Sequence, residues 1–482
     1  MLFNSFEFIV FFILVTTSYF LLPHKFRWLL LLVASCYFYM AFVPIYILIL
    51  FGTILIDYFA GILIENAEGK KRKSFLILSL FANIGVLAVF KYYNFFATNI
   101  NELLSSFSLK NIPLLRILLP IGLSFHTFQA MSYTIEVYRG NQKAERHFGI
   151  YSLYVMFYPQ LVAGPIERPQ NILHQFYEKH SFNWTNFEEG AKKILWGFFK
   201  KVVIADRLAL VVGNVYNHPQ GHNGLEIILA TIFFSFQIYC DFSGYSDIAL
   251  GAAEMMGFKL MTNFNKPYFA SSISEFWKRW HISLSTWFRD YLYISLGGNR
   301  VSKWRIYLNM FIVFLVSGLW HGANWTFIVW GALHGTYLMI EQLISRKSKS
   351  EISNSKRNIK IGINFILVAF AWIFFRATSM KDAMYIVSHI GNGWRFTSFK
   401  FYQDTVAKLG SGDLLYGTFN ITISLLLIFI LLFIEKISKH RNPIDLADRV
   451  PVLLKWTIYY IIILSICILG VYDNKEFIYF QF

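Results

Sequence analysis

The chain has 482 residues, of which 56% are hydrophobic, 19% are aromatic and only 15% are charged, and its formal net charge is +16. Its mean hydropathy is +0.47, and many apolar runs of spanning length follow one another, which excludes a soluble globular domain. The basic residues cluster in short loops between apolar runs, a pattern typical of positive-inside topology rather than of a nucleic-acid-binding face. The composition therefore predicts an all-α polytopic membrane protein.

The distribution of basic loops predicts the topology. The N-terminal apolar run at about 6–22 lacks a basic n-region and a small-residue cleavage site, so it indicates a first span rather than a cleavable signal. The first positive charges follow it at 24–27, and further basic loops cover residues 70–73, 139–146, 346–360 and 436–449. With these loops in the cytoplasm, spans at about 75–97, 118–138, 361–377, 418–435 and 455–472 place both termini outside.

We expect a single transmembrane domain over residues 1–482. Its parts are N-terminal spans (1–150), a catalytic core with broken helices (151–345), C-terminal spans (361–472) and an extracytoplasmic tail (473–482). Broken helices at membrane depth are tolerated only where protein or a water-filled cavity surrounds them. The middle region is therefore where we expect a tunnel or an active site.

Two polar segments interrupt this middle region. Three prolines within Tyr158–Pro169 predict a helix break that places Gln160, Glu167 and Arg168 near the interface. Asp241 and Asp247 lie within an apolar run, so we expect each of them to be paired or to cap a broken helix. A structural role is favoured over direct catalysis for these two carboxylates, because buried paired carboxylates are often architectural.

The segment 274–300 predicts an amphipathic helix. Its start would be capped by Ser272 or Ser274, and Gly297-Gly298 would end it. One helical face carries Trp277, His281, Leu284 and Phe288. An interfacial helix with its basic residues outward is one interpretation, but His281 lies on the apolar face, where a surface helix would not place it.

His321 lies within Ser317–Trp325, inside an apolar run at about 304–344. An ionisable side chain at membrane depth is a functional-site candidate, and imidazole accepts and returns a proton near pH 7. A structural histidine bonded to a carbonyl is the alternative. The histidines and the three cysteines show no metal-ligand spacing, so we expect no metal site. No Ser-His-Asp spacing, GxSxG elbow or Gly-rich nucleotide loop is evident.

Three segments carry a family resemblance: Phe276–Arg300, Gln237–Gly251 and Leu319–Trp325. They resemble the signature blocks of the membrane-bound O-acyltransferase superfamily, and within it the bacterial branch for alginate and peptidoglycan O-acetylation. Teichoic-acid D-alanylation proteins are a more distant likeness. The resemblance implies an O-acetyltransferase whose tilted helices form a ring around a thin central tunnel, with re-entrant and interfacial helices.

The resemblance also implies the site residues. The family's active-site histidine matches His321, and its second characteristic position, often Asn elsewhere in the superfamily, matches His281. We expect His321 to act as the base and His281 to position the acyl group or to donate to the oxyanion. The residues expected to contribute to substrate binding are Trp320, Asn324, Trp277, Arg289, Asp290 and Asp241. Acetyl-CoA is the implied donor, with no bound cofactor.

The chain ends in the aromatic hexapeptide Phe477–Phe482 after a polar break. This ending resembles tails in related acyl-export systems that are proposed to carry the acyl group on a tyrosine, here Tyr479. A phenol, with a pKa of about 10, is a better leaving group than an alkoxide, so an aryl ester could pass its acyl group onward. The alternative is a tail that simply packs into the protein.

The resulting hypothesis is an inner-membrane subunit that moves acetyl from a cytoplasmic donor to a periplasmic partner of the SGNH-hydrolase type. We expect peptidoglycan as the final acceptor, because abundant Ile, Lys, Asn and Phe suggest an AT-rich genome, with alginate or another exopolysaccharide close behind. A transporter or flippase stays an alternative, since Asp241 and Asp247 would also suit a translocation path, although inverted repeats are not evident. A membrane scaffold for a periplasmic enzyme is the third possibility.

Overall fold

A computed structural model describes residues 1–117, 119–162, 164–345, 354–392, 414–438, 443–472 and 477–478. Within these ranges the protein consists of helices, turns and loops and contains no β-strand, which confirms the predicted all-α class. The chain divides into two compact units, of which the first comprises Met1–Ile194 with Ile248–Thr262 and the second Leu195–Asp247 with Asn263–Phe482. The prediction of one functional domain over the whole chain stays a prediction.

The α-helices of the described residues are numbered here in chain order. The first ten are α1 (Phe6–Leu21), α2 (His24–Met40), α3 (Ile47–Asn66), α4 (Gly69–Leu87), α5 (Tyr93–Ser106), α6 (Leu123–Arg139), α7 (Phe148–Met156), α8 (Tyr158–Leu161), α9 (Pro169–Ile172) and α10 (Trp184–Phe198). The others are α11 (Asp206–Asn217), α12 (Gly224–Met255), α13 (Ile273–Trp277), α14 (Ile282–Trp287), α15 (Lys303–His321), α16 (Trp325–Ser345), α17 (Asn354–Arg376), α18 (Met380–His389), α19 (Leu414–Ile437) and α20 (Val452–Leu469).

Seven helices in the described part of the chain are long and apolar enough to cross a membrane. They are Pro44–Asn66, Gly69–Ser106, Gly224–Met255, Trp325–Ile344, Asn354–Arg376, Gly417–Ile437 and Val452–Leu469. Four of them overlap spans that the sequence predicts. The predicted span at about 118–138 instead overlaps α6, which has 17 residues and is buried on nearly every side, including polar residues such as His126 and Gln129. Together these helices make the chain a multi-pass membrane protein.

A buried carboxylate joins three helices of the first unit. Asp57 of α3 accepts hydrogen bonds from Ser79 (Oγ to Oδ1, 2.6 Å) and from Asn83 (Nδ2 to Oδ2, 2.8 Å), both on α4. Ser79 also lies 3.1 Å from the hydroxyl of Thr134 on α6. A charged or polar group at membrane depth is costly unless the protein itself satisfies it, so these bonds determine how the three helices pack.

The proline-rich segment breaks the chain as predicted, into the short helices α8 and α9, with irregular backbone at residues 164–168. Gln160, Glu167 and Arg168 are all buried in the first unit. Glu167 accepts from the backbone N–H of Met261, and Gln160 donates to the carbonyl of Tyr154 at 2.7 Å. These side chains therefore satisfy buried backbone groups at the break.

The structure decides between the two expectations for the acidic segment. Asp241 and Asp247 lie within α12, an uninterrupted helix of 32 residues, so the expectation of a broken helix there is wrong. The alternative expectation, pairing, is confirmed: Lys201 lies 2.6 Å from Asp241, and Lys200 lies 2.8 Å from Asp247. The helix tolerates its carboxylates because adjacent lysines of the π-helical segment Phe199–Ala205 neutralise them.

The segment 273–298 is not one helix. Ser272 caps α13 through the Glu275 N–H, and Gly297 and Gly298 turn the chain in the left-handed region, as predicted. Between these points, however, α13 ends at Trp277 and α14 begins at Ile282, and the helix then widens into the π-helical segment Phe288–Tyr293. Trp277, His281, Leu284 and Phe288 are buried nonetheless. The apolar pattern identified the buried residues, but it gave no sign of the break.

The apolar run at 304–344 folds back on itself as the hairpin α15–α16. The two backbones touch at glycines: a Cβ added at Gly318 would lie 2.3 Å from the carbonyl oxygen of Phe327, and one at Gly331 would lie 2.3 Å from that of Phe314. Small residues that let helix backbones approach closely are a common basis of helix pairing in membranes. Since His321 ends α15, this contact positions the candidate catalytic residue.

We predict that Gly331→Ala destabilises the protein by about 1–3 kcal/mol, because the added methyl group meets backbone that must move. The measurement is the thermal unfolding midpoint of the purified protein in detergent. Gly362→Ala in α17 is the matched control, since a Cβ there meets nothing within 4 Å. Equal midpoints for the Gly331→Ala variant and the parent would contradict the role of this contact.

Candidate active site

His321 is the last residue of α15 and is only 4% exposed. Its ring lies edge-on to three aromatic rings, with centroid distances of 4.9 Å to Trp320, 5.0 Å to Trp330 and 5.3 Å to Phe375. Trp330 and Phe375 belong to α16 and α17, so three helices form the surroundings of one imidazole. The ring is held in a defined orientation by packing.

His281 lies at the break between α13 and α14, with φ 42° and ψ 56°, in the left-handed region. That conformation costs a non-glycine residue about 1–2 kcal/mol. The backbone after it is held by Asn263, whose carbonyl accepts from the Ile282 N–H at 2.9 Å and whose side chain accepts from the Ser283 hydroxyl at 2.6 Å. Strained residues that the surroundings maintain are concentrated at functional sites, which makes His281 a site candidate on structural grounds as well.

Trp320 connects the two histidines. The centroid of its ring lies 6.3 Å from that of His281 and 4.9 Å from that of His321. Complete burial lowers the pKa of the His281 imidazole to about 3, so this ring is neutral at physiological pH. A neutral imidazole can donate a hydrogen bond from one nitrogen and accept one at the other.

A third buried histidine extends this aromatic region. The indole N–H of Trp277 donates to Nδ1 of His334 at 3.3 Å, and Trp330 contacts both His334 and His321 at centroid distances of 5.0 Å. The described residues contain no group of three or more His, Cys, Asp or Glu side chains arranged for a metal ion. His334 thus orients Trp277, one of the predicted binding residues.

The other predicted binding residues occupy separate places. Asn324 accepts from the Thr326 N–H at 3.1 Å and donates to the Thr378 carbonyl at 3.2 Å, which stabilises the start of α16. Arg289 and Asp290 form an ion pair at 2.7 Å on the exposed side of the π-helical segment. Asp241 is buried with Lys201. Tyr479 lies outside the described residues, and the substrate-binding roles stay predictions.

A cavity of about 540 Å³ lies beside the segment 274–299. Such a volume is in the range of small-molecule sites. Its apolar wall includes Trp277 and Phe314, and its basic residues are Lys278 and Arg289. Neither histidine of the pair lines it, but Ser317 does, one helical turn before His321. The cavity therefore reaches the helix that carries the candidate base.

Comparison with known proteins identifies the family of the chain. Residues 145–381 match the model of the membrane-bound O-acyltransferase family. The chain is 40% identical over 422 residues to a probable alginate O-acetylase of Pseudomonas aeruginosa, covering 86% of this chain and 80% of that protein. It is 37% identical over 387 residues to the peptidoglycan O-acetyltransferase of Helicobacter pylori, covering 75% of this chain and 72% of that protein. It is 30% identical over 244 residues to the teichoic acid D-alanyltransferase of Bacillus subtilis, covering 48% of this chain and 60% of that protein.

The chain belongs to the membrane-bound O-acyltransferase family. It is a multi-pass membrane enzyme, an O-acyltransferase, and the resemblance to the alginate and peptidoglycan branch is confirmed. Of the function classes that the sequence left open, the O-acyltransferase is the one that the relatives support.

Sequence reasoning missed several residues that build the site. Asn263 and Phe375 carry no motif that would distinguish them from ordinary helix or loop residues. Lys200 and Lys201 are adjacent in an apolar stretch, and basic residues at such a position could have been recognised as partners of the two carboxylates. The short spacing of Gly318 with Gly322, and of Gly331 with Gly335, could have indicated the hairpin.

We predict that His321→Ala reduces acetyl transfer by about two to four orders of magnitude, the usual contribution of a general base, with an unfolding midpoint near that of the parent. His281→Ala should cause a large but smaller loss. The measurement is the rate of transfer from labelled acetyl-CoA by purified protein. Full activity of the His321→Ala variant would remove this residue from the mechanism, and a His281→Ala variant that does not fold would show a structural role.

Proposed function

We propose that this enzyme takes acetyl from cytoplasmic acetyl-CoA and delivers it across the inner membrane for O-acetylation of a cell-envelope polysaccharide. The observation that carries the proposal is the pair of buried imidazoles, His281 and His321, which both contact the ring of Trp320. Acyl transfer needs a base for the attacking hydroxyl and a donor for the developing oxyanion, and both act more strongly in a buried site.

The transfer step follows from these two roles. The attacking hydroxyl oxygen bonds to the acetyl carbonyl carbon while His321 takes its proton. His281, which is neutral, donates a hydrogen bond to the carbonyl oxygen as negative charge develops there. The carbon–sulfur bond of the thioester then breaks, and His321 returns the proton to the departing thiolate, so that an O-acetyl ester and free coenzyme A thiol result.

The cavity beside segment 274–299 supports acetyl-CoA as the donor. Its apolar wall suits a pantetheine arm, and its basic side chains, Lys278 and Arg289, suit the anionic end of the molecule. Arg289 already pairs with Asp290, whereas the Lys278 side chain is exposed at the cavity. Ser317 continues the cavity wall toward His321.

Lys278→Gln should raise the KM for acetyl-CoA about two- to fivefold, the effect of one exposed charge, and leave kcat near the parental value. Lys303→Gln is the control, because Lys303 is also exposed but does not line the cavity. A parental KM in the Lys278→Gln variant would exclude this cavity as the donor site.

The positive loops support a location in the inner membrane with both termini outside. In that orientation Lys71 and Lys356, both exposed, face the cytoplasm, and the C-terminal residues face the periplasm. Cysteine labelling of each position from either side of the membrane tests this orientation. Cytoplasmic labelling of residue 475 would contradict delivery to an external partner.

The relatives support a polysaccharide acceptor. Their names divide between alginate and peptidoglycan at 36–40% identity, so identity alone does not separate the two. We keep peptidoglycan as the first acceptor, with alginate or another exopolysaccharide as the second, and we propose that a periplasmic partner of the SGNH-hydrolase type completes the transfer. Mass spectrometry of muropeptides and of exported polysaccharide, with and without the His321→Ala variant, identifies the acceptor.

Tyr479 is the proposed acyl carrier between the buried histidines and this partner. Tyr479→Phe keeps the ring and deletes the hydroxyl, so it separates chemistry from packing. We expect it to abolish polysaccharide acetylation in cells without preventing partner binding, and to remove any acylated C-terminal peptide from the mass spectrum. A fully active variant would mean that acetyl passes directly from the histidine site to the partner.

A further inference from the structure

The dipeptide Phe477-Ile478 is buried although it follows the polar residues 473–476. Phe477 is 0% exposed, and its ring packs against two aromatic residues of α12, at centroid distances of 4.5 Å to Tyr245 and 5.5 Å to Phe242. Ile478 is 3% exposed and joins the apolar core of the second unit. An aromatic anchor of this kind removes a large apolar area from solvent or lipid headgroups.

A charged group fixes the same dipeptide. The backbone N–H of Ile478 donates to Oδ2 of Asp241 at 2.7 Å, and Oδ1 of Asp241 lies 2.6 Å from Nζ of Lys201. Lys201 also pairs with Asp206 at 2.8 Å, and all three side chains are at most 4% exposed. Hydrogen bonds to ionised acceptors are about twice as strong as neutral ones. The ammonium group of Lys201 thus lies against the carboxylate that binds the tail.

The chain is also fixed just before the polar residues. The N–H of Val471 donates to the carbonyl of Val202 at 3.0 Å, and Arg207 donates to the carbonyl of Leu469 and to Asn420. Both attachments involve the segment that runs from Phe199 through the start of α11, the segment that also supplies Lys201. The chain is therefore attached to this segment before residues 473–476, and after them it is attached to Asp241 of α12, which pairs with Lys201 of the same segment.

We infer that Lys201 and Asp241 form a clamp that docks residues 477–478 against α12 and so positions the chain end for acyl transfer. The transfer role rests on the proposed function, whereas the docking does not. Phe242 provides the connection to the site, since its ring contacts both Phe477 and His281, the latter at a centroid distance of 4.6 Å. Lys201 and Asp241 are positioning residues, because they act on the reaction through the tail.

The chain offers a matched control for this clamp. Lys200 pairs with Asp247 at 2.8 Å, between the same π-helical segment and the same helix. The hydrogen bond of Ile478 goes to Asp241, however, and not to Asp247. Removing either carboxylate deletes one ion pair between these elements, but only the loss of Asp241 deletes the attachment of the tail.

The test measures exposure of the dipeptide directly. Ile478→Cys is introduced into the full chain together with Cys467→Ser, which removes an exposed native thiol. The rate of alkylation by a charged maleimide is then measured on purified protein in detergent. Asp241→Ala should raise this rate about tenfold or more, the factor expected for loss of a hydrogen bond to a charged acceptor. Asp247→Ala should leave it within about twofold of the parent, because the tail then keeps its own hydrogen bond and a segment opens locally only when its own attachments weaken.

Two further variants keep the test decisive if Asp241→Ala does not fold. Asp241→Asn retains an acceptor without the charge and should give an intermediate rate, and Phe477→Ala should raise the rate by removing the aromatic anchor. An unchanged rate in all of these variants overturns the clamp, as does an equal rise with Asp247→Ala.

Acetylation in cells, measured on the same variants without the Cys substitutions, distinguishes this inference from the proposed function. A raised alkylation rate with lost acetylation supports both. A raised alkylation rate with normal acetylation supports the clamp and overturns the role of the tail in transfer.

Discussion

Inside a bilayer the protein must satisfy its own polar groups, and the ion pairs between α12 and the adjacent lysines Lys200 and Lys201 are the strongest case of this constraint. Lone carboxylates in the middle of a long apolar helix would be prohibitive, whereas paired ones fix how that helix lies against the next element. The hydrogen bonds of Asp57 in the first unit and of His334 in the second follow the same rule. Apolar packing alone would allow several ways of placing these helices against each other, and the polar contacts stabilise one of them.

The candidate site depends on aromatic packing in the second unit. Tryptophan and phenylalanine side chains from α15, α16 and α17 surround His321, and Phe242 of α12 lies edge-on to His281. Large rigid rings leave few alternative orientations for an imidazole between them. The close glycine contact of the α15–α16 hairpin brings Trp330 against His321, so backbone proximity and ring packing act together.

Composition and apolar run lengths were sufficient to predict an all-α membrane protein, and the family resemblance predicted both histidines as site residues, which the structure shows buried against Trp320. The breaks were harder to predict. A carboxylate within an apolar run suggested a broken helix, but Lys201, forty positions earlier, lets α12 continue through Asp241. Periodicity around His281 suggested a continuous helix, but the hydrogen bonds that Ile282 and Ser283 donate to Asn263 stabilise a left-handed residue there. Both errors have the same cause. In each place the local backbone conformation depends on a residue distant in sequence, Lys201 or Asn263, which a local sequence pattern does not show.

The left-handed backbone of His281 limits which side chains this position can carry. Asn, Asp and His enter that region more readily than other residues with a side chain, while β-branched residues are strongly disfavoured. Asparagine meets the same backbone requirement as histidine. A His281→Asn exchange would therefore change the hydrogen-bonding groups of the site while the backbone of the turn stays as it is.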